Sequence, residues 1–287
     1  MVGDSGIVPL EPGLYFVATP IGNARDITLR ALDVLHSADV LVAEDTRTLR
    51  RLMEIHGVPL AGRRVLAYHD HNGAVMRPRL IDAVRKGQSV AYASDAGTPL
   101  VADPGFALGR AVSDAGLSVT TAPGPSAALA ALTLSGLPSD CFVFAGFPPT
   151  AKSARDAFFK EFSTVSGTLI MFESARRLSN LLDAAARVLG PDRDAAVCRE
   201  LTKRFEEVQR GSLGNLVDHY KDVVPKGEIV VCIAKGDVVV DPALVRASLA
   251  EAMKTQKLKS AASEVASRFG LSKRDLYQLG LEIQRES

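Results

Sequence analysis

Short apolar runs alternate with amphipathic stretches along the first half of the chain. The runs are apolar throughout, which is typical of strands buried on both faces of a parallel or mixed sheet. Between them the leucines recur at helical spacing, as in the segment from Thr28 to Ala38, which has a candidate cap at Asp26. The pattern predicts helices such as Val75–Lys86 between strands over Leu14–Thr19, Val40–Ala43, Arg64–Tyr68, Ser89–Ala93, Ser118–Thr121 and Cys141–Ala145.

A second α/β alternation follows Pro148-Pro149-Thr150, which we interpret as a linker because paired prolines favour extended backbone. Its charged run Lys203–Gly211 is either an edge strand or a loop. The pattern predicts a helix over Ala175–Leu189 and strands over Thr168–Phe172, Ala195–Arg199 and Glu228–Ala234.

After Val238 the pattern becomes helical, from Ala243 to Ile283. A helix, a turn at Gly270 and a second helix capped by Ser272 resemble a helix-turn-helix, and the alternative is a helical hairpin packed on the body. We therefore expect a flexible tail over residues 1–12, a first α/β domain over 13–147, a second over 148–240 and a helical segment over 241–287.

Composition narrows the class of protein. The chain has 287 residues, of which 47% are hydrophobic and 23% charged, which excludes a disordered chain. The net charge of +1 argues against a protein that binds polyanions over its whole surface. One local patch exists, because the segment from Met253 to Arg274 carries six basic residues against one acidic residue, a net charge of +5.

Other sequence features point to an ordinary intracellular protein. No apolar run approaches the roughly 20 residues that cross a bilayer, and the start has no signal-peptide pattern, so we expect a cytoplasmic location and no membrane contact. Cys141, Cys198 and Cys232 stand alone in apolar segments and are expected to be buried thiols. The histidines lack metal-ligand spacing, so we expect no metal.

Three loops that follow predicted strands have unusual compositions. Ligands of α/β sheets bind at the carboxyl ends of the strands, where these loops lie. The loop Ala18–Asp26 lacks both the dinucleotide-binding glycine pattern and the P-loop pattern. The loop Ala93–Gly105 is rich in Asp, Gly and Pro, which allow close ligand approach and a preformed shape. The third, Ala122–Ala127, leads into an alanine-rich helix whose first N–H groups are free.

These loops carry a family resemblance. Seven segments in order resemble signature segments of the tetrapyrrole methylase family, in its branch that methylates riboses of ribosomal RNA. They are Ala18-Thr-Pro-Ile-Gly-Asn23 with Asp26, Ala43-Glu-Asp-Thr-Arg47, Tyr68-His-Asp-His-Asn72, Ser94-Asp-Ala-Gly-Thr-Pro99 with Asp103-Pro-Gly105, Pro123-Gly-Pro-Ser126, Arg199-Glu-Leu-Thr-Lys203 and Lys226-Gly-Glu228.

The resemblance implies two α/β domains with S-adenosylmethionine in the cleft between them, usually in a homodimer. It also implies methyl transfer to a cytidine ribose 2′-hydroxyl of small-subunit ribosomal RNA, within the assembled subunit. Carried over by motif, the residues expected to touch the methyl donor are Pro20, Ser94, Asp95, Ala96, Gly97, Thr98, Val101, Ala102, Ser126, Ala127, Met171, Phe172 and Leu201.

One segment departs from the branch. Where the branch usually has Glu-Ser/Ala-Pro-His-Arg, this chain has Glu173-Ser-Ala-Arg-Arg177, so Ala175 and Arg176 replace a proline and a histidine. Any role of that histidine is absent here.

Ribose methylation requires alignment of the 2′-oxygen with the methyl group and departure of a proton. The candidates for a base or a ribose-orienting group are Glu44, Asp45, His69, Lys203 and Glu206. Each has a simpler interpretation. Glu44 and Asp45 beside Arg47 form a salt bridge or a helix cap, His69 is solvated, and Lys203 belongs to a surface charge run or contacts phosphate.

The basic residues expected to contact RNA are Arg25, Arg47, Arg176, Lys203, Lys257, Lys259, Lys273 and Arg274. Two other functions stay open. One is a methyltransferase of the same fold that acts on a tetrapyrrole or a protein side chain, and the other is a noncatalytic RNA-binding module that retains the donor pocket.

Overall fold

The computed structural model describes residues 9–69, 71–102, 104–236, 242–269 and 271–286. Several sequence expectations lie outside these residues, namely those for the tail up to residue 8, Asp70, Asp103, the segment 237–241 and the turn at Gly270. None of the described helices has the length and apolar character needed to cross a membrane.

The first half of the chain forms a parallel five-stranded sheet. Its strands are β1 (Gly13–Val17), β2 (Val40–Ala43), β3 (Val65–Ala67), β4 (Ser89–Ala93) and β5 (Val119–Ala122), in the order β3-β2-β4-β1-β5. The helices between them are α1 (Leu29–Ser37), α2 (Thr46–Ile55), α3 (Gly73–Arg85) and α4 (Phe106–Asp114). The predicted strands are thus present, with ends that differ by at most two residues.

The packing of the central strand β4 explains why its sequence is apolar throughout. Ala91 and Ala93 pack with α1 and α2 on one face, whereas Val90 and Tyr92 pack with α3 and α4 on the other. Every residue of β4 is buried. A strand covered on both faces needs no polar alternation, as the sequence indicates.

The second sheet is mixed. It contains β6 (Phe142–Phe144), β7 (Thr168–Ser174), β8 (Asp194–Arg199), β9 (Glu207–Ser212) and β10 (Glu228–Ile233), in the order β6-β7-β10-β8-β9. Only β6 and β7 run parallel. Helices α6 (Lys152–Phe162), α7 (Leu178–Leu189) and α8 (Leu213–Tyr220) cover one face, and α5 (Ala127–Ser135) packs on the other. Residues Ala175–Arg177 form a 3-10 turn ahead of α7.

The sequence placed the strand at Cys141–Ala145 in the first sheet, and this was wrong. β6 pairs with β7, with Val143 opposite Leu169, and the preceding helix α5 packs on the second sheet. The two sheets therefore divide the chain between β5 and β6, ahead of the boundary that the sequence suggests at residue 147. The sequence could not show this, because a strand that is apolar throughout has the same hydrophobic pattern in either sheet.

Three local features complete the comparison. The cap of α1 is Thr28, whose Oγ1 accepts from the N–H of Ala31 at 3.1 Å, and not Asp26. The charged run Lys203–Gly211 is an edge strand from Glu207 onward and a turn before it. Cys198 and Cys232 are buried as expected, whereas the expectation was wrong for Cys141, which stands just before β6 and is exposed.

The chain ends in three helices, α9 (Pro242–Thr255), α10 (Leu258–Phe269) and α11 (Lys273–Glu286). They share a hydrophobic cluster of their own, centred on Leu249, Val265 and Leu276. Ser272 precedes α11, and its Oγ accepts from the N–H of Asp275 at 3.4 Å, as the predicted cap requires.

A carboxylate ties the starts of β2 and β4 together. Asp39 Oδ2 accepts from both the backbone N–H and the hydroxyl of Ser89 at 2.7 Å. These two hydrogen bonds, the backbone one first, lower the pKa of Asp39 below its ordinary value. The stabilisation is therefore complete above the ordinary aspartate pKa, and it is lost as the pH falls through the lower pKa of the folded state.

We expect Asp39→Asn to lower the free energy of unfolding by about 0.5–1 kcal/mol at pH 7, because Asp39 is exposed and solvent screens its charge. Urea unfolding at pH 7 and at pH 3 measures this, and the difference between variant and wild type should shrink at the lower pH. The control is Asp33→Asn on the exposed side of α1, which should change little. An equal loss at both pH values would contradict the role of the charge.

Candidate active site

A cavity of about 520 Å³ lies where the carboxyl ends of the first sheet face the second sheet. Its first-sheet wall comes from the loops after β1, β2 and β4 and from the start of α5. Its second-sheet wall comes from the segment after β6, the end of β7 and the start of β10. The lining residues are Ile21, Glu44, Asp95–Thr98, Val101, Ala102, Ser126, Ala127, Phe147, Phe172–Ala175 and Gly227–Val230.

The loop after β4 is held in shape by bonds within the first sheet. The backbones of Thr19 and Gly97 exchange two hydrogen bonds of 3.0 Å, and the Ser94 hydroxyl donates to the carbonyl of Gly97. Thr98 Oγ1 donates to the carbonyl of Pro125 at 2.9 Å, which ties this loop to the start of α5. The wall is therefore preformed.

Backbone strain also concentrates here. Of the five described non-glycine residues with positive φ, Leu100 and Ala102 lie in the loop after β4, and Glu200 and Thr202 lie in the turn after β8. Such conformations cost about 1–3 kcal/mol each and persist where the surroundings fix them, often at functional sites.

The two sheets meet through the loop after β1 and the turn after β8. The N–H of Asn23 donates to Thr202 Oγ1 at 3.0 Å. A Cβ on Gly22 would lie 2.5 Å from Lys203 Cγ and 2.7 Å from Thr202 Oγ1, so only glycine permits this approach. This contact sets the spacing of the two cavity walls on this side.

Asp95 and Asp45 connect two of the cavity loops. Asp95 Oδ1 accepts from the N–H of Asp45 at 2.9 Å, while the Asp45 carboxylate caps α2 and pairs with Arg47 at 2.7 Å. The hydrogen bonds from the Arg47 side chain and then its backbone lower the pKa of Asp45 to about 2. A carboxylate with that pKa is a weak base, and its geometry matches the simpler interpretation of a cap and salt bridge.

The ammonium group of Lys203 also has partners, because it forms two ion pairs. Its Nζ lies 2.9 Å from Glu200 Oε1 and 2.7 Å from Glu228 Oε2. Burial lowers its pKa, but the hydrogen bonds to the two glutamates outweigh burial, so the net pKa is raised. Lys203 is therefore a cation near neutral pH and not a base, and it lies beside the cavity through Glu228.

The other candidates differ in position. Glu44 lines the cavity. Glu206 Oε2 accepts from the N–H of Thr202 at 2.6 Å and so supports the turn after β8. His69 is half-buried beside the ring of His71, and it is absent from the described lining of the cavity. Glu44 is thus the one base candidate among these described residues that forms part of the wall.

Nine of the thirteen residues expected to touch the donor line the cavity, and four do not. Met171 is fully buried against the helices on the far side of the second sheet, because alternate residues of β7 face opposite sides and Phe172 faces α5. Leu201 is buried under α5, Ser94 is bonded inside its own loop, and Ile21 takes the place of Pro20.

Sequence reasoning missed several wall residues. These are Ile21, Phe147, Glu173, Ser174, Ala175, Gly227, Glu228, Ile229 and Val230. The signal for some was present, because the Lys226-Gly-Glu228 and Glu173–Arg177 segments both resemble the family. Ile21 also stands in a segment that resembles the family, whereas Phe147, Ile229 and Val230 lie outside the resembling segments.

The basic residues expected to contact RNA are on the surface. Arg25, Arg47 and Arg176 are exposed, and each is close in the chain to a residue of the cavity wall. The four of the C-terminal helices are exposed as well: Lys257, Lys259, Lys273 and Arg274. Among the described residues, no cluster of His, Cys, Asp and Glu has the makeup to hold a metal ion.

Comparison with family models defines the class of protein. The model described as tetrapyrrole (corrin/porphyrin) methylases matches residues 13–217, which is more than half of the chain, so the chain belongs to this family. A second model, described as the RsmI C-terminal HTH domain, matches residues 239–284 and favours the helix-turn-helix interpretation of α10 and α11.

Relatives narrow the similarity further. The chain is 50% identical over 294 residues to the ribosomal RNA small subunit methyltransferase I of Mesorhizobium japonicum, covering 100% of this chain and 98% of that protein. The chain is 44% identical to the protein of the same name from Erythrobacter litoralis, and the match covers 99% of this chain and 100% of that protein. Identity to the protein of that name from Mycobacterium tuberculosis is 42%, covering 96% of each.

Solved structures support the fold alone at their low identities. A diphthine synthase aligns with a TM-score of 0.59 at 18% identity, covering 77% of this chain and 89% of that one. A uroporphyrin-III-C-methyltransferase from Thermus thermophilus aligns with a TM-score of 0.52 at 23% identity, covering 78% and 94%.

We expect Gly22→Ala to weaken S-adenosylmethionine binding roughly tenfold, because the added methyl group pushes the loop after β1 away from Thr202 and Lys203. Isothermal titration calorimetry measures the dissociation constant. The matched control is Gly211→Ala, where the added Cβ would meet Asn215 Cβ at an ordinary 3.4 Å. Unchanged affinity in Gly22→Ala would show that this contact does not shape the site.

Proposed function

We propose that the protein transfers a methyl group from S-adenosylmethionine to the 2′-hydroxyl of a cytidine ribose in small-subunit ribosomal RNA. The observation that carries this proposal is the preformed cavity of a tetrapyrrole methylase joined to a basic helix-turn-helix segment. The names of the relatives support the ribosomal target, and the resemblance of the motifs supports the ribose position.

The cavity fits such a donor in size and chemistry. Ligand pockets of this size are mostly apolar with a few placed polar groups. Here alanine, valine, isoleucine and phenylalanine form most of the wall, with Asp95, Thr98 and Ser126 among its polar residues. Gly97 has a φ of +79°, which favours glycine, and a Cβ there would lie 3.1 Å from Ile21 Cγ2, so the loops after β1 and β4 pack closely at the wall. These loops would hold the donor.

The sulfonium of the donor supplies an electrophilic methyl group, so the task of the protein is mainly to align the reactants. The preformed loop after β4 reduces the entropy lost on binding. Removal of the 2′-hydroxyl proton falls to a group in the wall, and Glu44 is the candidate of the original set that lies there. Asp45 and Lys203 support the site through Asp95 and Glu228.

The C-terminal helices would bind the RNA. Their exposed basic residues suit phosphate contacts, which dominate RNA affinity. We further propose that the substrate is the assembled small subunit, that the enzyme works as a homodimer, and that it acts in the cytoplasm, where its substrate is found.

The direct test uses a donor labelled in its methyl group and small ribosomal subunits from a strain that lacks the enzyme. Incorporation into one cytidine ribose, mapped by nuclease digestion and mass spectrometry, is the expected result. Asp95→Ala, which removes the tie to Asp45, should lower turnover, while Asp95→Asn keeps an acceptor for that N–H and should lower it less.

Other outcomes would favour the alternatives. Label on protein or on a tetrapyrrole would contradict the RNA target. Donor binding without any transfer to subunits would favour a noncatalytic RNA-binding module. Label on free ribosomal RNA but not on subunits would contradict the assembled substrate.

We expect the combined change of Lys257, Lys259, Lys273 and Arg274 to Gln to raise the KM for subunits about tenfold or more and to flatten its dependence on salt. The donor dissociation constant should stay as in the wild type, because these exposed residues lie on or beside helices that have a hydrophobic cluster of their own.

The reverse variant is Glu251→Gln with Glu282→Gln, which removes negative charge from the same helices and should lower the KM. Removal of residues 243–287 should likewise spare donor binding and impair RNA methylation. If subunits are methylated equally well by all of these proteins, the helices do not bind RNA.

A further inference from the structure

Phe205 is a large apolar side chain at the tip of a turn. The N–H of Glu206 donates to the carbonyl of Lys203 at 3.1 Å, which closes the turn and makes Arg204 and Phe205 its two central residues. Such positions favour Gly, Pro, Asn, Asp and Ser, yet here an aromatic residue is 63% exposed. A ring with this exposure contributes little to a hydrophobic core and is accessible to a partner.

Polar groups hold this turn in one shape. Glu206 Oε2 accepts from the N–H of Thr202 at 2.6 Å. The N–H of Lys203 donates to the carbonyl of Glu200 at 3.0 Å. Glu200 and Thr202 both have positive φ, a conformation that persists where the surroundings fix it. The ring is therefore presented on a backbone that has little freedom to lose when a ligand binds.

The turn stands at the rim of the cavity, next to both walls. Lys203 Nζ lies 2.7 Å from Oε2 of Glu228, a residue of the second-sheet wall. A Cβ on Gly22 would lie 2.5 Å from Lys203 Cγ, and the neighbouring Ile21 belongs to the first-sheet wall. Phe205 follows Lys203 by two residues, so their Cα atoms are within about 7 Å of each other. A group bound at the ring is therefore close to the contents of the cavity.

Arg204 gives the ring a cationic neighbour. Its guanidinium carbon lies 5.4 Å from the centroid of the Phe205 ring, within the range of a cation–π interaction, and the residue is exposed. Carboxylates of the same turn are engaged, Glu200 by Lys203 and Glu206 by a backbone N–H. With Lys203 paired in this way, Arg204 is the cation that the described turn offers to an anionic group.

An exposed aromatic face beside an arginine suits single-stranded RNA. Unstacked bases bind through their faces to aromatic rings and guanidinium planes, and arginine contacts phosphate. The proposed function requires such a strand at the rim, because a nucleotide that enters a cavity between two sheets must leave its helical stack. Its neighbour in the RNA then loses a stacking partner, and a ring at the rim can replace that partner.

We propose that Phe205 stacks with the base of a nucleotide next to the target and that Arg204 contacts a phosphate of the same strand. The inference rests on the proposed function and adds an RNA contact at the cavity to that of the C-terminal helices. Stacking on an aromatic face tolerates any base, so this contact positions the strand without selecting its sequence.

The first test compares side chains with and without a flat face. Phe205→Leu keeps the apolar character and should raise the KM for small subunits about tenfold, whereas Phe205→Tyr keeps the ring and should stay near the wild type. Arg204→Gln should raise the KM less and flatten its dependence on salt. The donor dissociation constant, measured by calorimetry, should be unchanged in all three, which also shows that they fold.

Phe142→Leu is the matched control. Phe142 is a phenylalanine with 43% exposure, and it is the first residue of β6. The other end of this strand leads to Phe147 in the cavity wall, so Phe142 lies at the end of β6 away from the cavity. Its replacement should leave the KM for subunits and the donor dissociation constant as in the wild type.

A photocrosslink identifies what the ring touches. With p-benzoylphenylalanine in place of Phe205, irradiation of the complex with small subunits should attach the protein to ribosomal RNA beside the methylated cytidine. The same group in place of Phe142 should not attach there. Attachment of position 205 to a second copy of the chain would make Phe205 part of an interface between copies and would overturn the proposal.

The kinetic results can also overturn the proposal. An unchanged KM in Phe205→Leu, or an equal increase in Phe205→Leu and Phe205→Tyr, shows that stacking on this ring does not contribute. The proposed function stands in either case as long as the wild type methylates subunits. A wild type that does not methylate them overturns the proposed function, and the role of Phe205 with it.

Discussion

The cavity depends on the close contact between the loop after β1 and the turn after β8. This contact needs glycine at position 22 and a hydrogen bond from Asn23 to Thr202 Oγ1. Thr202 and Glu200 are held in left-handed backbone conformations to present this surface. Each sheet alone would offer half a wall, so the spacing of the two halves decides whether a ligand is enclosed. This close contact limits that spacing, because any side chain at position 22 would meet Thr202 and Lys203.

Much of the fold follows from apolar periodicity, and the reason is burial. Runs such as β4 are covered on both faces, so their sequences are apolar throughout and their bounds are visible. The sheet to which β6 belongs was not visible, since pairing between strands distant in sequence leaves no local signal. The same limit applies to Met171 and Phe172. Both stand in a recognised segment, but the face that each one presents depends on the register of β7 with β10.

The functional loops were predictable to the extent that their backbone demands special residues. Gly97 marks the loop after β4, and a family resemblance adds the segments around Glu44 and Glu228. Charge partners were foreseen only in part. The pairing of Asp45 with Arg47 was one of the sequence interpretations, but the partners of Lys203, which are two glutamates, and of Glu206, which is a backbone N–H, were not foreseen. A sequence shows titratable groups but not which of them already have partners.

The partners of the polar groups explain how the walls of the cavity are held. Polar groups near the cavity hold its walls in place. Asp95 joins two loops of the first sheet, and one oxygen of Glu173 accepts from Arg177 and from the N–H of Ser174 at the end of β7. Large hydrophobic clusters on both faces of each sheet stabilise the fold around these polar contacts. The cavity walls and the three C-terminal helices have separate hydrophobic clusters, so the proposed function assigns donor binding and RNA affinity to different parts of the chain.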